Sequence, residues 1–93
     1  MIRTFRNKDT LTIFKGGFVR KLDRRIQQRA REKLKYLDGA ADLRDLMMPP
    51  SNQLEALRGD RQGQHSIRIN TQWRVCFTWK DGDAYDVEIV DYH

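Results

Sequence analysis

The spacing of apolar residues changes near Ser51, and that change divides the chain into a helical half and a strand half. Val19, Leu22, Ile26, Ala30, Leu34 and Leu37 recur at intervals of three and four residues. Such spacing forms one apolar stripe and predicts a helix from about Phe18 to Leu37. Asp38-Gly39 ends it, and Ala40, Ala41, Leu43, Leu46 and Met47 predict a shorter helix stopped by Pro49-Pro50, the two packing as a hairpin. Ahead of them, Met1 to Phe5 alternates Ile2 and Thr4 against Arg3 and Phe5, as a short edge strand does. Asn7 or Asp9 then caps a brief turn carrying Leu11, Ile13 and Phe14, which Gly16-Gly17 closes.

Beyond Ser51 the period is two, with strands predicted at Leu54 to Arg58, His65 to Asn70, Trp73 to Lys80 and Ala84 to Tyr92. Lys80-Asp81-Gly82-Asp83 suits a hairpin turn because glycine tolerates positive φ. An edge strand and helices followed by an antiparallel sheet make an α+β fold, with the helical hairpin packed on the sheet. Alternation then sorts the strand side chains by face. Ile67, Ile69, Val75, Phe77, Trp79, Val87 and Ile89 turn toward the helices, and Arg68, Arg74, Cys76, Glu88, Val90 and Tyr92 turn away.

Ninety-three residues suffice for one core, so residues 1–93 are expected to form a single domain. The formal net charge of +5 and a pI near 9.7 fit a partner that carries phosphates. Much of that charge lies on the first long helix, where Arg20, Lys21, Arg24, Arg25, Arg29, Arg31, Lys33 and Lys35 are answered only by Asp23 and Glu32. This surface suits a phosphate backbone or an acidic protein, or it is a solvated face of snorkelling side chains. The lone Cys76 excludes an internal disulfide, no cysteine and histidine spacing resembles a zinc site, and no apolar stretch approaches bilayer length. No cofactor or metal is expected, and the cytoplasm is the expected compartment.

Candidate chemistry gathers at the end of the chain, where Asp91, Tyr92 and His93 offer a carboxylate, a phenol and an imidazole. A final His that is simply exposed is the plain alternative, since termini fray. Strand parity brings Arg68, Arg74 and Tyr92 onto one surface with His93 just beyond it. Arginine forks hold phosphate but do not titrate near neutral pH, so proton transfer falls to other groups. His93 leads, followed by Tyr92, Asp91, Glu55 and His65, although His65 has core parity and reads as structural. Arg58-Gly59-Asp60-Arg61 occupies a turn at the sheet mouth, either as a solvated hairpin or as a source of two more cations. Trp73 and Trp79 have core parity and read as core anchors, which leaves little aromatic surface for stacking on bases.

The runs Leu57-Arg58-Gly59-Asp60-Arg61, His65-Ser66-Ile67-Arg68-Ile69-Asn70, Trp73-Arg74-Val75-Cys76-Phe77 and Val90-Asp91-Tyr92-His93 resemble those of the HigB toxins within the RelE/ParE superfamily. The identifying motifs occupy residues 54 to 93, and the helical half is similar in pattern. The resemblance implies a toxin of a type II toxin–antitoxin system: a ribosome-dependent endonuclease that cleaves mRNA in the ribosomal A site. Its partners would be the ribosome with its RNA, the mRNA, and a HigA-like antitoxin with a helix-turn-helix fold. It also implies phosphate-binding roles for Arg68 and Arg74, a basic turn residue at Arg58, and catalytic roles for Asp91, Tyr92 and His93. Glu55 departs from the pattern, standing where some relatives carry a functional histidine, so that either Glu55 is the base or the terminus carries both proton-transfer roles. ParE toxins share the fold and inhibit DNA gyrase without cleaving RNA, which makes gyrase inhibition the competing expectation. A nonenzymatic RNA-binding module is a third.

Overall fold

Period-two segments pair as expected into one antiparallel sheet, in the order β1-β2-β3-β4, with β1 Glu55–Ala56, β2 Gln64–Arg68, β3 Trp73–Lys80 and β4 Asp83–Asp91. The computed structural model describes residues 1–92, and His93 lies outside the described residues. Two helices, α1 (Lys8–Phe14) and α2 (Arg24–Gly39), pack on one face of the sheet against β3 and β4, giving the α+β architecture. The residues between the layers are those marked by periodicity: Ile13, Leu34, Leu37, Ile67, Val75, Phe77 and Val87 are fully buried. Each such side chain contributes on the order of 1.5–3 kcal/mol of burial free energy. No helix among the described residues is long and apolar enough to cross a membrane.

The N-terminal segment is an edge, paired parallel to β4 through bridges between Ile2 and Ala84 and between Phe5 and Val87. Arg3 and Asp83 tie it down, with Arg3 Nε donating to Asp83 Oδ2 at 3.1 Å. That hydrogen bond, aided by the Met1 ammonium, holds the Asp83 carboxyl below its usual range against a smaller opposing desolvation.

Three expectations change. First, the hairpin partner of the long helix is the segment after Asn7. Asn7 Oδ1 accepts the Thr10 N–H at 2.9 Å, which extends the expected turn into α1, and Gly16 at φ +95° ends the run. Residues 40 to 47 instead form a single 3-10 turn over Leu43–Met47. Asp42 and Asp45 cap that turn reciprocally, but only Leu46 of it is buried, too little apolar surface to hold a full helix. Second, α2 begins at Arg24. Asp23 caps it by accepting the Arg25 N–H, which lowers the Asp23 pKa. The preceding residues are pinned as a loop by Gln27, whose side chain bonds the N–H and C=O of Val19 and the C=O of Leu22. Arg20 and Lys21 therefore lie off the helix. Third, the first predicted strand shrinks to Glu55–Ala56, because Arg58 leads directly into the Gly59–Arg61 turn.

The face assignment survives through a bulge. Thr78 pairs with Tyr85 and Cys76 with Glu88, so one extra residue of β4 is accommodated between them, where Asp86 takes φ +52°. Without it, Ala84 and Val87 could not both face the core.

Candidate active site

The sheet register builds the helix-free face row by row. Arg68 pairs with Arg74, which pairs with Val90; one step along, Ser66 pairs with Cys76 and Cys76 with Glu88, and Glu55 pairs with Ser66. Side chains on one row of a sheet stand roughly 4.5–5.5 Å apart at Cβ. Arg68 and Arg74 are therefore lateral neighbours, with Glu55 near the Ser66 end of the same face.

Arg74 is the best-anchored of these groups. It is 7% exposed; its Nε donates to Ser66 Oγ at 2.7 Å and its Nη2 donates to the carbonyl of Gln53. Gln53 has φ +44°, a left-handed conformation that costs a non-glycine residue about 1–3 kcal/mol and turns its carbonyl to the guanidinium. The Tyr92 ring lies 5.7 Å from the Arg74 guanidinium carbon, a cation–π distance, while Tyr92 itself is 41% exposed. A charged fork is thus held on one side by protein acceptors and on another by an aromatic face.

Arg61 behaves otherwise than expected of a free cation. Its Nη1 donates to Glu88 Oε1 at 2.8 Å and to Gln64 Oε1 at 3.0 Å, and Arg6 Nε lies 3.7 Å from the same Glu88 oxygen. The hydrogen bond to Glu88 raises the Arg61 pKa, and its charge is largely neutralised within the fold. Arg58, by contrast, is exposed and forms no ion pair among the described residues. Beneath this layer Cys76 is fully buried; burial pushes its thiol pKa up, Arg61 opposes and Glu88 adds. It packs as a small hydrophobe.

Asp91 is separated from Tyr92. It pairs with Trp73, a residue packed on the core, so it belongs to the opposite face from Arg74, and its Oδ2 accepts the Gln72 side-chain N–H at 3.2 Å. The adjacency of Asp91 and Tyr92 in sequence conceals this, because neighbouring residues in a strand point to opposite faces. His93 cannot be placed, lying outside the described residues. His65 pairs with Phe77 and stacks on it with ring centroids 6.3 Å apart, on the core side, which supports its structural reading. Trp73 and Trp79 pack against the core as expected.

Along α2 the arginines divide. Arg31 is spent within the fold, its Nε donating to the Ile13 carbonyl at 3.0 Å and its Nη2 to the Gly17 carbonyl at 3.3 Å, where it completes the C-terminal end of α1. Arg24 lies over the Phe18 ring at 5.5 Å, and Arg25 approaches Asp23 at 3.6 Å. Arg24, Arg25 and Arg29 are exposed, as is Arg20 on the loop before them. Sequence reasoning missed the role of Ser66, the Gln53 carbonyl, and Asn52 as the partner of Lys33. Ser66 shares strand parity with Arg68 and was within reach, whereas a backbone carbonyl leaves no trace in residue type. Among the described residues no group of three or more His, Cys, Asp or Glu side chains could hold a metal ion.

Comparison with known proteins places the chain in a family. Residues 3–93 match the model of HigB-like toxins, described as the RelE-like toxin of type II toxin–antitoxin system HigB. Endoribonuclease HigB of Proteus vulgaris is 31% identical over 93 residues, covering all of both chains. Toxin HigB-1 of Vibrio cholerae is 48% identical over 52 residues, 56% of this chain and 55% of that one. In fold, the chain is similar to a YoeB-YefM complex of Staphylococcus aureus, with TM-score 0.62 and 18% identity over 100% of this chain and 98% of that one. It is also similar to the YoeB dimer of the same organism, with TM-score 0.59, 21% identity and 99% and 97% coverage. The full-length sequence match and the RelE-like architecture agree, and the chain belongs to the HigB-like toxin family of type II toxin–antitoxin systems.

Proposed function

We propose that this protein is a ribosome-dependent endoribonuclease that cleaves mRNA in the A site and thereby inhibits translation. The observation that carries the reading is the Arg68–Arg74 pair on a helix-free face, with Arg74 fixed by Ser66 and Gln53 and flanked by the exposed Tyr92 ring. Two arginines from paired positions of neighbouring strands suit a phosphodiester whose charge grows in the transition state.

In this reaction the RNA 2′-oxygen attacks the adjacent phosphorus. The new O2′–P bond forms as the P–O5′ bond breaks; the 2′-OH proton passes to a base, and an acid protonates the departing 5′-oxygen. Glu55 is our choice of base. Its register opposite Ser66 supports this, since Ser66 also holds Arg74, whereas Asp91 belongs to the other face. Tyr92 orients the reacting nucleotide beside Arg74, and the terminal residue His93 supplies the acid. Asp91 acts as a positioning residue for the chain end through Gln72. Orientation by the ribosome supplies much of the rate, since fixing reactants is worth roughly 7–11 kcal/mol in favourable cases.

Arg58 and the exposed Arg20, Arg24, Arg25 and Arg29 contribute the cationic surface that meets RNA, while Arg31 and Arg61 mainly brace the fold. The partner that restrains this activity is an antitoxin, as the family and the YoeB-YefM toxin-antitoxin complex among the structural relatives support, and we take it to be HigA-like with a helix-turn-helix fold. Mapping new 5′ ends by primer extension on a message translated in extract, beside a gyrase supercoiling assay, tests the proposal. New ends within codons and untouched supercoiling are expected. Blocked supercoiling without new ends would instead identify a gyrase inhibitor.

A further inference from the structure

Where the turn between β2 and β3 meets α2, the surface folds into a pocket of about 440 Å³ lined by Arg29, Lys33, Ser51, Arg68, Ile69, Asn70 and Thr71. Arg29 and Lys33 stand four residues apart on α2 and so share one stripe of the helix, and Arg68 arrives from the end of β2. None of the lining residues is acidic, and among the described residues none of the three cations forms an ion pair with a carboxylate. Glu32, whose field reaches Lys33, lies outside the lining.

Like charges at this helical spacing repel, so the arrangement is unfavourable until an anion enters. The cost is visible at Lys33: burial, and then the charge of Arg29, push its pKa below the ordinary lysine value, with Glu32 opposing. The ammonium is nonetheless held in place. Lys33 Nζ donates to Oδ1 of Asn52, a fully buried side chain whose Nδ2 is anchored to the carbonyls of Leu46 and Met48 at 3.2 Å each. Neutral donors complete the pocket. Ser51 brings a hydroxyl, and Asn70, whose Oδ1 already accepts the N–H groups of Gln72 and Trp73, has its NH2 left to offer. Three cations, one of them anchored by Asn52, together with neutral donors match the chemistry of a phosphate group.

The same Arg68 that lines this pocket pairs in register with Arg74, so the pocket and the arginine face are contiguous. We propose that the pocket formed by Arg29, Lys33, Ser51, Arg68 and Asn70 is a second phosphate subsite, which holds the phosphate next to the scissile one on the same RNA strand. The inference rests on the nuclease reading above and extends it, since it assigns Lys33 and Arg29 to the substrate strand. Continuity with Arg74 favours that strand over ribosomal RNA as the source of the phosphate.

The test uses the isolated toxin and uncleavable 2′-deoxy oligonucleotides, a dinucleotide with one phosphate and a trinucleotide with two, each titrated over a series of salt concentrations. For the wild type, the logarithmic salt dependence should be steeper for the trinucleotide by about 0.7, the increment for one further single-strand phosphate. Lys33→Gln and Arg29→Gln should each remove that increment, so that the dinucleotide and the trinucleotide share one salt dependence. Arg29 is exposed and serves as the arm that leaves the fold untouched if loss of the Lys33–Asn52 bond disturbs it. An increment retained in Arg29→Gln, or missing from the wild type, overturns the proposal. So does unchanged oligonucleotide binding with weakened association to ribosomes free of mRNA, which would give the pocket to ribosomal RNA. Because these oligonucleotides are not cleaved, the outcome is independent of whether the protein is a nuclease.

Discussion

Arg74 combines burial with charge, and removing it has two separable consequences. Arg74→Ala leaves Ser66 Oγ and the Gln53 carbonyl without their donor, which should destabilise the fold by about 1–3 kcal/mol, read from denaturant midpoints. Parity alone suggests a polar-face arginine dispensable for folding; the hydrogen bonds argue otherwise. The base is tested by the rate of single-turnover cleavage. Glu55→Gln should lower the rate roughly 100-fold, and His93→Gln should lower it as well through loss of the acid. If Glu55→Gln retains the wild-type rate while His93→Gln loses it, the imidazole takes the role of base.

At the scale of elements, the caps make quantitative statements. Asn7→Ala should cost about 1 kcal/mol in global stability, measured by chemical denaturation, because α1 is seven residues long and its start depends on one side-chain acceptor. The sheet was legible in the sequence because alternation survives in Ile67, Val75 and Ile89, and Trp73 to Lys80 was bounded correctly. The helical half was less so. Leu43, Leu46 and Met47 have helical spacing, but Met47 remains 58% exposed, and spacing alone does not tell whether a stripe finds a surface to cover. The bulge at Asp86 was equally invisible, since it depends on where β4 meets β3. Of the site, the arginines and Tyr92 could be read from period two, whereas the diversion of Arg31 to α1 and Arg61 to Glu88 depended on tertiary contacts.

Across the whole molecule, charge acts on both stability and association. The folded-state pKa of Asp83 is depressed, so its link to Arg3 stabilises the N-terminal edge above the unfolded value near 4 and loses that contribution as pH falls through the folded value. Melting temperatures of the wild type should therefore fall more steeply between about pH 5 and pH 3 than those of Asp83→Asn. Parallel curves would show that the edge is held by its backbone bridges alone. Under the proposed function a net charge of +5 sets the approach to RNA, and Arg24 and Arg25 carry part of that charge on the exposed end of α2. Reversing both to Glu should weaken ribosome pelleting and flatten its salt dependence by roughly one to two units of logarithmic slope. An unchanged slope would assign this end of the helix to the antitoxin or to bulk solvent.

Under the proposed function the fixed Arg74 fork stabilises the scissile phosphate as it reacts. The most direct test of this role is the single-turnover rate of mRNA cleavage on programmed ribosomes by Arg74→Lys at saturating concentration, where the charge remains but the fork held by Ser66 and Gln53 is lost. The account predicts a fall of about 100-fold or more with ribosome binding retained, in line with the loss of one oriented donor to a developing oxyanion. A wild-type rate, with the same 5′ ends, would contradict it.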